Sequence, residues 1–279
     1  MKFSILIANY NNATFLEECI LSAINQSYQD LEIVIIDDAS TDDSLTIINE
    51  FVSRDNRIKY FRNETNMGCG YTKRKCIEKA SGTICGFLDS DDLLYPKAVE
   101  IMVSEHVKHV DASLIYSSYE IYDESLKLIR KNQYFFHEDS LFFMIGIGLN
   151  HFASFKRELY DKTLGINEFF PRSVDRDLYL KLEEVGETIF VPEYLYKYRL
   201  NSNSISNNEN AYKAEYWAWQ ARFAACERRN LNKEEIYAII MSQIMENTKG
   251  YDFSTTTDYK LGKRLLFPFR FIKNKIFKH

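Results

Sequence analysis

The sequence lacks most of the features that assign a chain to a protein class directly. Its five cysteines are odd in number and show no CxxC spacing, which argues against a disulfide framework and against a structural zinc site. It has no GxxxxGK[ST] and no GxGxxG after a strand, so a bound nucleotide would be held by side chains and a metal. The longest apolar run, LFFMIGIGL at 141–149, is far shorter than the ~20 residues of a membrane span.

Charge is distributed unevenly along a chain of otherwise ordinary globular composition. The 279 residues are 46% hydrophobic and carry a net charge of −5. Residues 260–279 contain seven Lys or Arg and no acid, so the rest of the chain is markedly acidic, and the two parts should have different partners. The N-terminus has too short an apolar run for a signal peptide. We therefore expect a cytoplasmic protein without nucleic-acid partners, whose membrane contact is peripheral and on the inner face of the plasma membrane.

Strand and helix signals alternate over the first hundred residues. Apolar strands are predicted at FSILIA (3–8), LEIVIID (31–37), IKYF (58–61) and ICGFL (84–88), with amphipathic helices between them. This rhythm indicates right-handed crossovers and a mostly parallel sheet. From residue 111 the rhythm breaks, and the later predictions are a strand or hairpin arm at 113–123, a helix at 174–186, a strand at 188–192 and two helices within 211–247.

Three carboxylates follow the fourth predicted strand almost without interruption. They are Asp89, Asp91 and Asp92, with Ser90 between the first two. Clustered carboxylates repel one another and favour water, a cation or a helix N-terminus. One interpretation is a divalent metal that holds the phosphates of a nucleotide, and the other is that these acids only begin the next helix, ahead of Pro96. The cluster by itself does not choose between them.

Polar residues also follow the first two strands. Asn9, Tyr10 and Asn11 follow the first strand, and Asp37 and Asp38 follow the second. The carboxyl ends of parallel strands share the edge at which open α/β folds bind ligands, so we expect these residues beside the acid cluster. Carboxylates there accept base or ribose hydrogen bonds, an aromatic ring stacks on a base, and hard oxygen ligands suit Mg²⁺ or Mn²⁺. A capped turn would explain one acid pair, whereas two on one edge favour a site.

Six motifs then occur in a characteristic order along the chain. They are IANYNN, VIIDDASTDDS, NMGCGYTKRKCIEKASG, FLDSDDLLYP, the DRDLYLKL helix and YKYRLNSNSIS. Together they resemble the family 2 glycosyltransferases, inverting enzymes of the GT-A fold. The resemblance implies a Rossmann-like α/β fold with a mixed, mostly parallel sheet flanked by helices. It implies a glycosyltransferase domain at 1–205, with a nucleotide-binding half at 1–110 and an acceptor half at 111–205, and a helical C-terminal extension at 206–279.

The resemblance also implies roles for individual residues. The segment Ala8 to Asn11 and Asp38 would line the base, and the three acids would form the metal and ribose motif, known as DxD. We expect these residues to bind the nucleotide sugar: Ala8, Asn9, Tyr10, Asn11, Asp38, Lys73, Arg74, Asp89, Ser90 and Asp91. The metal, Mn²⁺ or Mg²⁺, is expected on Asp91 and Asp92, with Asp91 favoured and the choice between them open.

The resemblance implies that Asp175 is the catalytic base. An acceptor hydroxyl must lose its proton as it attacks the anomeric carbon from the face opposite the leaving nucleoside diphosphate. A carboxylate in the first turn of a helix stays ionised and ready to accept that proton. The alternative is that Asp175 only caps the helix, which leaves Asp177 as a surface charge.

The chain departs from the family pattern at three places. Lys73-Arg74 stands where many relatives have Arg-Asn, and Lys lacks the bidentate fork of Arg. Val174 replaces a Glu, and Asn201 replaces a His that follows the YR segment in relatives. None of these changes removes an acid that the reaction requires.

The implied function is an inverting, metal-dependent transfer from a nucleotide sugar, a UDP-sugar above all. The acceptor would be a hydroxyl of a glycan or of a lipid-linked acceptor in bacterial surface polysaccharide synthesis, such as capsule or O-antigen. A nucleotidyltransferase is a weaker interpretation, because the glycine-rich basic loop it needs after the first strand is missing. A non-catalytic, receiver-like nucleotide-binding module and an inactive transferase homologue remain as alternatives.

Two further features admit a functional and a structural interpretation. We expect most of a set of aromatic residues to fill a core, and His151 to be a structural hydrogen-bonding residue; the aromatic residues are Tyr134, Phe135, Phe136, Phe142, Phe143, Phe169 and Phe170. The tail at 260–279 mixes Phe and Ile with basic residues, which favours an anchor on an anionic membrane over docking on the acidic body.

Overall fold

The computed structural model describes residues 1–132, 151–201 and 210–247, except for the side chains of 243–247. The predictions for the aromatic residues between 134 and 143 and for the tail at 260–279 lie outside these residues. Internal contacts divide the chain into one unit at Met1–Leu231 and a second from Asn232. The division expected at residue 205 stays a prediction.

Strands and helices alternate as predicted in the first half of the chain. The strands are β1 (Phe3–Asn9), β2 (Leu31–Asp37), β3 (Ile58–Arg62), β4 (Ile84–Phe87), β5 (Leu93–Leu94), β6 (Ala112–Tyr122), β7 (Leu128–Asn132), β8 (Ala153–Lys156) and β9 (Glu187–Arg199). The helices are α1 (Ala13–Ile24), α2 (Ser44–Arg54), α3 (Cys69–Lys79), α4 (Ala98–Lys108), α5 (Arg157–Tyr160), α6 (Val174–Glu183), α7 (Ala211–Arg228) and, in the second unit, α8 (Lys233–Asn247).

The described strands form one mixed sheet in the order β3-β2-β1-β4-β8-β6-β9-β5, with β7 paired to β6. β3, β2, β1 and β4 run parallel to one another, and β6 is parallel to β9. β8 is antiparallel to both β4 and β6 and joins the two halves. This architecture confirms the predicted mixed, mostly parallel α/β sheet flanked by helices.

Helices cover the parallel half of the sheet on both faces. Ile5 and Ile7 of β1 pack with Leu16 and Ile20 of α1 in a buried cluster to which α2 and α4 also contribute. α3 contacts β1 and β2 and buries residues outside that cluster, such as Cys76. Parallel strands buried on both faces are apolar throughout, which is why the sequence predicted them well.

The last strand is much longer than the predicted 188–192. β9 continues through Pro192 to Arg199, and its pairing with β6 steps from Val191 directly to Tyr194. A proline has no N–H to donate, so the ladder skips it in a bulge and then resumes. The extension brings the end of β9 to the acids that follow β4.

In the part of the chain that the structure describes, we find no helix both long enough and apolar enough to cross a bilayer.

Candidate active site

The predicted polar residues meet at one edge of the sheet. β1 lies between β2 and β4 and is parallel to both, so the carboxyl ends of the three strands point the same way. Asn9 lies opposite Asp37 in register, and Asp89 follows β4 after Leu88. The expectation that these strand ends share an edge is confirmed.

The two acids at the carboxyl end of β2 make different contacts. Asp37 is fully buried and accepts a hydrogen bond from Asn9 Nδ2 at 3.0 Å. Asp38 accepts from Asn63 Nδ2 at 2.7 Å and from the Gly68 N–H at 2.8 Å. Gly68 has a φ of +89°, a conformation that residues with a Cβ rarely adopt, and this directs its N–H at Asp38 just before α3 begins. Asp37 therefore links the carboxyl ends of β1 and β2, and Asp38 holds the loop that leads into α3.

Asp92 is engaged within the protein through both of its carboxylate oxygens. Oδ2 accepts from the Tyr196 hydroxyl at 2.8 Å, and Oδ1 accepts from the Arg199 N–H at 2.7 Å. Burial, and then the charges of Asp91 and Asp89, raise the pKa of Asp92 well above its ordinary value. Asp92 thus fastens the acid turn to β9.

Asp91 has a different environment from its neighbour. It is half-buried and accepts from Asn201 Nδ2 at 3.3 Å. Burial, and then the nearby Asp89 charge, raise the pKa of its carboxyl group. Among the described residues no lysine, arginine or histidine forms an ion pair with Asp91. A carboxylate without an ion pair that lies near a second acid offers the hard oxygen ligands that fit Mg²⁺ or Mn²⁺.

Lys73 joins two acids that are distant in sequence. Its Nζ donates to Asp175 Oδ1 at 2.8 Å and to Asp175 Oδ2 at 2.9 Å, and lies 3.0 Å from Asp89 Oδ1. The lysine side chain is 5% exposed, and its Nζ is 5.0 Å from the centre of the Phe87 ring. Burial by itself would lower the pKa of Lys73, but Asp175 and Asp89 outweigh it and raise the pKa well above its usual value. The lysine is therefore a buried, permanently charged link between the two acids.

His151 contacts the other oxygen of Asp89. Its Nε2 lies 3.1 Å from Asp89 Oδ2, and its ring stacks on Tyr196 with the centroids 4.8 Å apart. Burial would lower the pKa of His151, but the Asp89 carboxylate outweighs it and raises the pKa. Burial would likewise raise the pKa of Asp89, whereas Lys73 and then His151 hold it well below its ordinary value. Asp89 is therefore ionised and lies between the Lys73 ammonium and the His151 ring.

A second group with metal-ligating atoms surrounds Lys73. Asp89, His151 and Asp175 each offer one such atom, and these atoms lie within 4.8 Å of one another. The Lys73 ammonium already forms ion pairs with both of these carboxylates. A divalent ion at this position would have to displace a buried lysine, so the donor set at Asp91 fits the ion better.

Asp175 lies in the first turn of α6, as predicted. Ser173, the residue before the helix, has a left-handed φ of +55°, and Val174 is buried where the resemblance implies a Glu. A second acid of this turn, Asp177, is buried and pairs with Lys181 at 2.6 Å. The interpretation of Asp175 as only a helix cap placed Asp177 on the surface. That expectation for Asp177 is wrong, because its carboxylate is buried and points towards Lys181.

The structure brings most of the predicted site residues together at the sheet edge, whereas Arg74 pairs with two glutamates that were not predicted to belong to the site. The Arg74 guanidinium contacts Glu78 at 3.1 Å and Glu168 at 3.3 Å. Ser90 accepts from Asn12 Nδ2 at 2.9 Å, which ties the acid turn to the start of α1. Tyr10 is half-exposed at the end of β1 beside Ala8, Asn9 and Asn11. The donor-binding roles of these residues stay predictions.

Sequence reasoning missed two residues of the site. His151 was expected to form only structural hydrogen bonds, and Tyr196 was not singled out. Tyr196 accepts from the Asp89 N–H at 3.2 Å while it donates to Asp92. The alternating aromatics of β9 were a weak signal for Tyr196, and no local pattern points to His151.

Comparisons with known proteins identify the family of the chain. A family model described as Glycosyl transferase family 2 matches residues 4–164. The chain is 34% identical over 205 residues to a chondroitin synthase of Escherichia coli, which covers 73% of this chain and 29% of that protein. It is 29% identical over 278 residues to a hyaluronan synthase of Pasteurella multocida, which covers 98% of this chain and 28% of that protein. The chain spans less than a third of the length of these two relatives.

Solved structures share the fold at low sequence identity. S. aureus TarS 1-349 in complex with UDP-GlcNAc superposes with a TM-score of 0.71 at 17% identity, covering 93% of this chain and 78% of that one. Mannosyltransferase PcManGT from Pyrobaculum calidifontis, in complex with GDP-Man and Mn²⁺, superposes with a TM-score of 0.58 at 14% identity, covering 94% and 83%. The likeness extends over nearly the whole chain and concerns the fold.

Proposed function

This chain belongs to glycosyl transferase family 2, and on that premise we propose that it is an inverting, metal-dependent glycosyltransferase that uses a nucleotide sugar, most specifically a UDP-sugar. The acceptor is a hydroxyl of a glycan or lipid-linked acceptor in bacterial surface polysaccharide synthesis, in keeping with the chondroitin and hyaluronan synthases among its relatives. The observation that carries the proposal is the linked group of Asp89, Lys73 and Asp175 at the sheet edge.

The nucleoside half of the donor lies over the ends of β1 and β2 in this proposal. Tyr10 is half-exposed there and offers a ring on which a base can stack. Asp38 contacts the nucleoside while its hydrogen bond to Gly68 keeps the loop before α3 in place. Asp89, held ionised by Lys73 and His151, accepts hydrogen bonds from the ribose.

Asp91 is the proposed metal ligand, with the Asn201 side chain beside it. Both oxygens of Asp92 are already hydrogen-bonded within the protein, so we assign Asp92 to holding the turn rather than the ion. A Mn²⁺ or Mg²⁺ ion held by Asp91 would neutralise negative charge that develops on the leaving diphosphate.

Asp175 is the proposed base. Its carboxylate accepts the proton of the acceptor hydroxyl while the oxygen of that hydroxyl attacks the anomeric carbon. Asp175 lies in the first turn of α6, at the helix end where the positive end of the helix dipole lies. Val174, in place of a Glu, is buried and offers the acceptor no charge.

Asp175→Asn tests the proposed function. We expect the variant to lose sugar transfer by a factor of about 10² or more, because general-base catalysis is typically worth that much, while it still binds UDP. The measurement is release of UDP from UDP-sugars in the presence of a glycan acceptor and Mn²⁺, with calorimetric titration of UDP.

Normal turnover in Asp175→Asn would remove Asp175 as the base. If the unaltered protein binds UDP but transfers no sugar from any donor tried, it is instead an inactive homologue. The departures at Lys73 and Val174 raise that alternative.

A further inference from the structure

Lys73 holds together two acids that the proposed function assigns to different tasks. Its ammonium lies within 3.0 Å of three carboxylate oxygens, two of Asp175 and one of Asp89. An ammonium has three N–H donors. The side chain is almost completely buried, so water has little access to it. All of the hydrogen-bonding capacity of this cation is therefore committed to the two acids.

The two roles proposed for this part of the site conflict in that arrangement. A diphosphate oxygen that approaches Lys73 finds its N–H donors engaged by carboxylates. Both carboxylate oxygens of Asp175, the atoms that would accept the proton of the acceptor hydroxyl, already accept hydrogen bonds from Lys73. Donor binding by Lys73 and proton acceptance by Asp175 therefore both require this ion pair to open.

We propose that donor binding releases the base: the diphosphate of the nucleotide sugar draws Lys73 away from Asp175, which is then free to accept the acceptor's proton. This inference rests on the proposed function and extends it, because it makes Lys73 a positioning residue that couples the donor site to the base. Proton acceptance is delayed until a donor is present, so transfer follows donor binding.

The surroundings of Lys73 suit such an exchange of ion pairs. Asp89 keeps its contact with His151 at 3.1 Å when Lys73 moves, so one of its carboxylate oxygens retains a partner. A lysine carries a point charge on a flexible four-carbon chain, whereas the planar guanidinium of arginine would bind a carboxylate through two parallel hydrogen bonds. A lysine at position 73 is therefore suited to an exchange of ion-pair partners.

Thermodynamic reciprocity gives a measurable consequence. If UDP must open the pair between Lys73 and Asp175, part of its binding free energy is spent on that step. Asp175→Asn removes the competing charge, while Asp89 still compensates Lys73. UDP should therefore bind Asp175→Asn tighter than the unaltered protein by about fivefold or more, the range typical of coupling between two sites.

The experiment is calorimetric titration of UDP into four proteins in Mn²⁺ buffer: the unaltered chain, Asp175→Asn, Lys73→Gln and the double variant. Loss of a negative charge near a diphosphate also strengthens binding by simple electrostatics, and that contribution persists without Lys73. We therefore expect clear tightening by Asp175→Asn when Lys73 is present and little in the Lys73→Gln background. Equal tightening in both backgrounds, or none, overturns the inference.

Asp177→Asn is the matched control. It removes an acid from the same helical turn, and that acid pairs with Lys181 at 2.6 Å rather than with Lys73. We expect its UDP affinity to be unchanged. A similar tightening in Asp177→Asn would mean that any lost charge on this helix has the effect, and would overturn the inference.

Lys73→Arg replaces Lys73→Gln if the latter does not fold or no longer binds UDP. A guanidinium holds Asp175 more firmly, so Lys73→Arg should bind UDP more weakly than the unaltered chain and recover when Asp175→Asn is added. Unchanged affinity in both variants overturns the inference. Should the unaltered chain bind none of UDP, GDP and dTDP, the proposed function itself fails, and the inference fails with it.

Discussion

Asp91 and Asp92 are adjacent in sequence but have different surroundings. Both oxygens of Asp92 accept hydrogen bonds from β9, through Tyr196 and Arg199, and the carboxylate is buried. Asp91 accepts from the amide of Asn201 and lies beside the Asp89 charge. Successive residues of a turn point in different directions, so Asp92 holds the turn to β9, and we propose that Asp91 binds the metal.

Substitution should separate these two tasks. Asp92→Ala leaves the buried Tyr196 hydroxyl and the Arg199 N–H without their acceptor, so we expect it to lower the free energy of unfolding by about 2–4 kcal/mol. Asp91→Ala should be as stable as the unaltered chain or more stable, because burial and Asp89 disfavour the ionised form of Asp91. It should instead lose the strengthening of UDP binding by Mn²⁺.

The measurements are urea unfolding of both variants and UDP titration with Mn²⁺ and with EDTA. EDTA should weaken UDP binding by the unaltered chain and leave Asp91→Ala unaffected. UDP binding that is indifferent to Mn²⁺, and unharmed by the two substitutions together, would refute the metal role.

Glu32 lies near the amino end of β2, opposite the site, and its ion pairs should make the stability of the fold depend on pH. It is buried in β2 and pairs with Lys59 at 2.6 Å and Lys2 at 3.0 Å. Burial alone would raise the pKa of Glu32, but Lys59, the Ser4 hydroxyl, Ser81 and Lys2 outweigh it and hold the pKa well below its ordinary value. The folded pKa is below the unfolded value of about 4.3, so its stabilisation is present above that pH and is lost as the pH falls further.

Glu32→Gln should therefore lower the free energy of unfolding by about 2 kcal/mol at pH 7, the worth of hydrogen bonds to a charged group. The difference from the unaltered chain should shrink when urea unfolding is repeated near pH 3. Exposed Glu50→Gln, which removes an ion pair to Arg54 on the surface of α2, serves as the control and should change stability little. A Glu32→Gln difference as large at pH 3 as at pH 7 contradicts the assignment.

At the scale of elements, the site depends on the contact of α3 with the segment before α6. The Gly70 N–H donates to the Phe170 carbonyl oxygen at 3.1 Å. A Cβ at Gly70 would lie 2.6 Å, 2.7 Å and 2.9 Å from the carbonyl oxygens of Asn167, Phe170 and Glu168. Only glycine allows the two backbones to approach this closely, and the approach sets where α6 and its Asp175 begin.

Gly70→Ala should push this segment away from α3 and displace Asp175 relative to Lys73. Misplacement of a catalytic group by about 1 Å costs roughly 10² in rate, so we expect a loss of transfer of that order. Transfer rate and urea unfolding are compared with those of Lys79→Ala at the exposed end of α3, which should be nearly unchanged. A Gly70→Ala protein with normal turnover would show that the close approach does not position the base.

At the scale of the whole chain, an acidic body is followed by a basic aromatic tail at 260–279. We propose that this tail contacts an anionic membrane surface, since aromatic and basic residues act together at such surfaces. The chain should float with anionic liposomes more than a version that ends at Tyr259, and the difference should fall in high salt because exposed charges are screened. Liposomes of neutral lipid are the control. Equally poor flotation of both versions with anionic lipid contradicts the proposal.

The sequence by itself determined the parallel half of the fold and the edge at which the site forms. Continuous apolar runs of strand length, separated by amphipathic helices, leave a buried parallel sheet as the solution, and residues that follow such strands must meet at one edge. Asn9, Asp38 and Asp89 were located in this way. The family motifs then added Asp175, which no periodicity would have singled out.

Only the tertiary structure decided which of these residues touch. Lys73 and Asp175 are 102 positions apart, and their ion pair depends on how α3 and α6 pack at the sheet edge. The contact of His151 with Asp89 and the separate tasks of Asp91 and Asp92 depend on β8 and on the extended β9. Local sequence sets the backbone of each element, whereas the direction of a side chain towards a distant partner is fixed only when the elements pack.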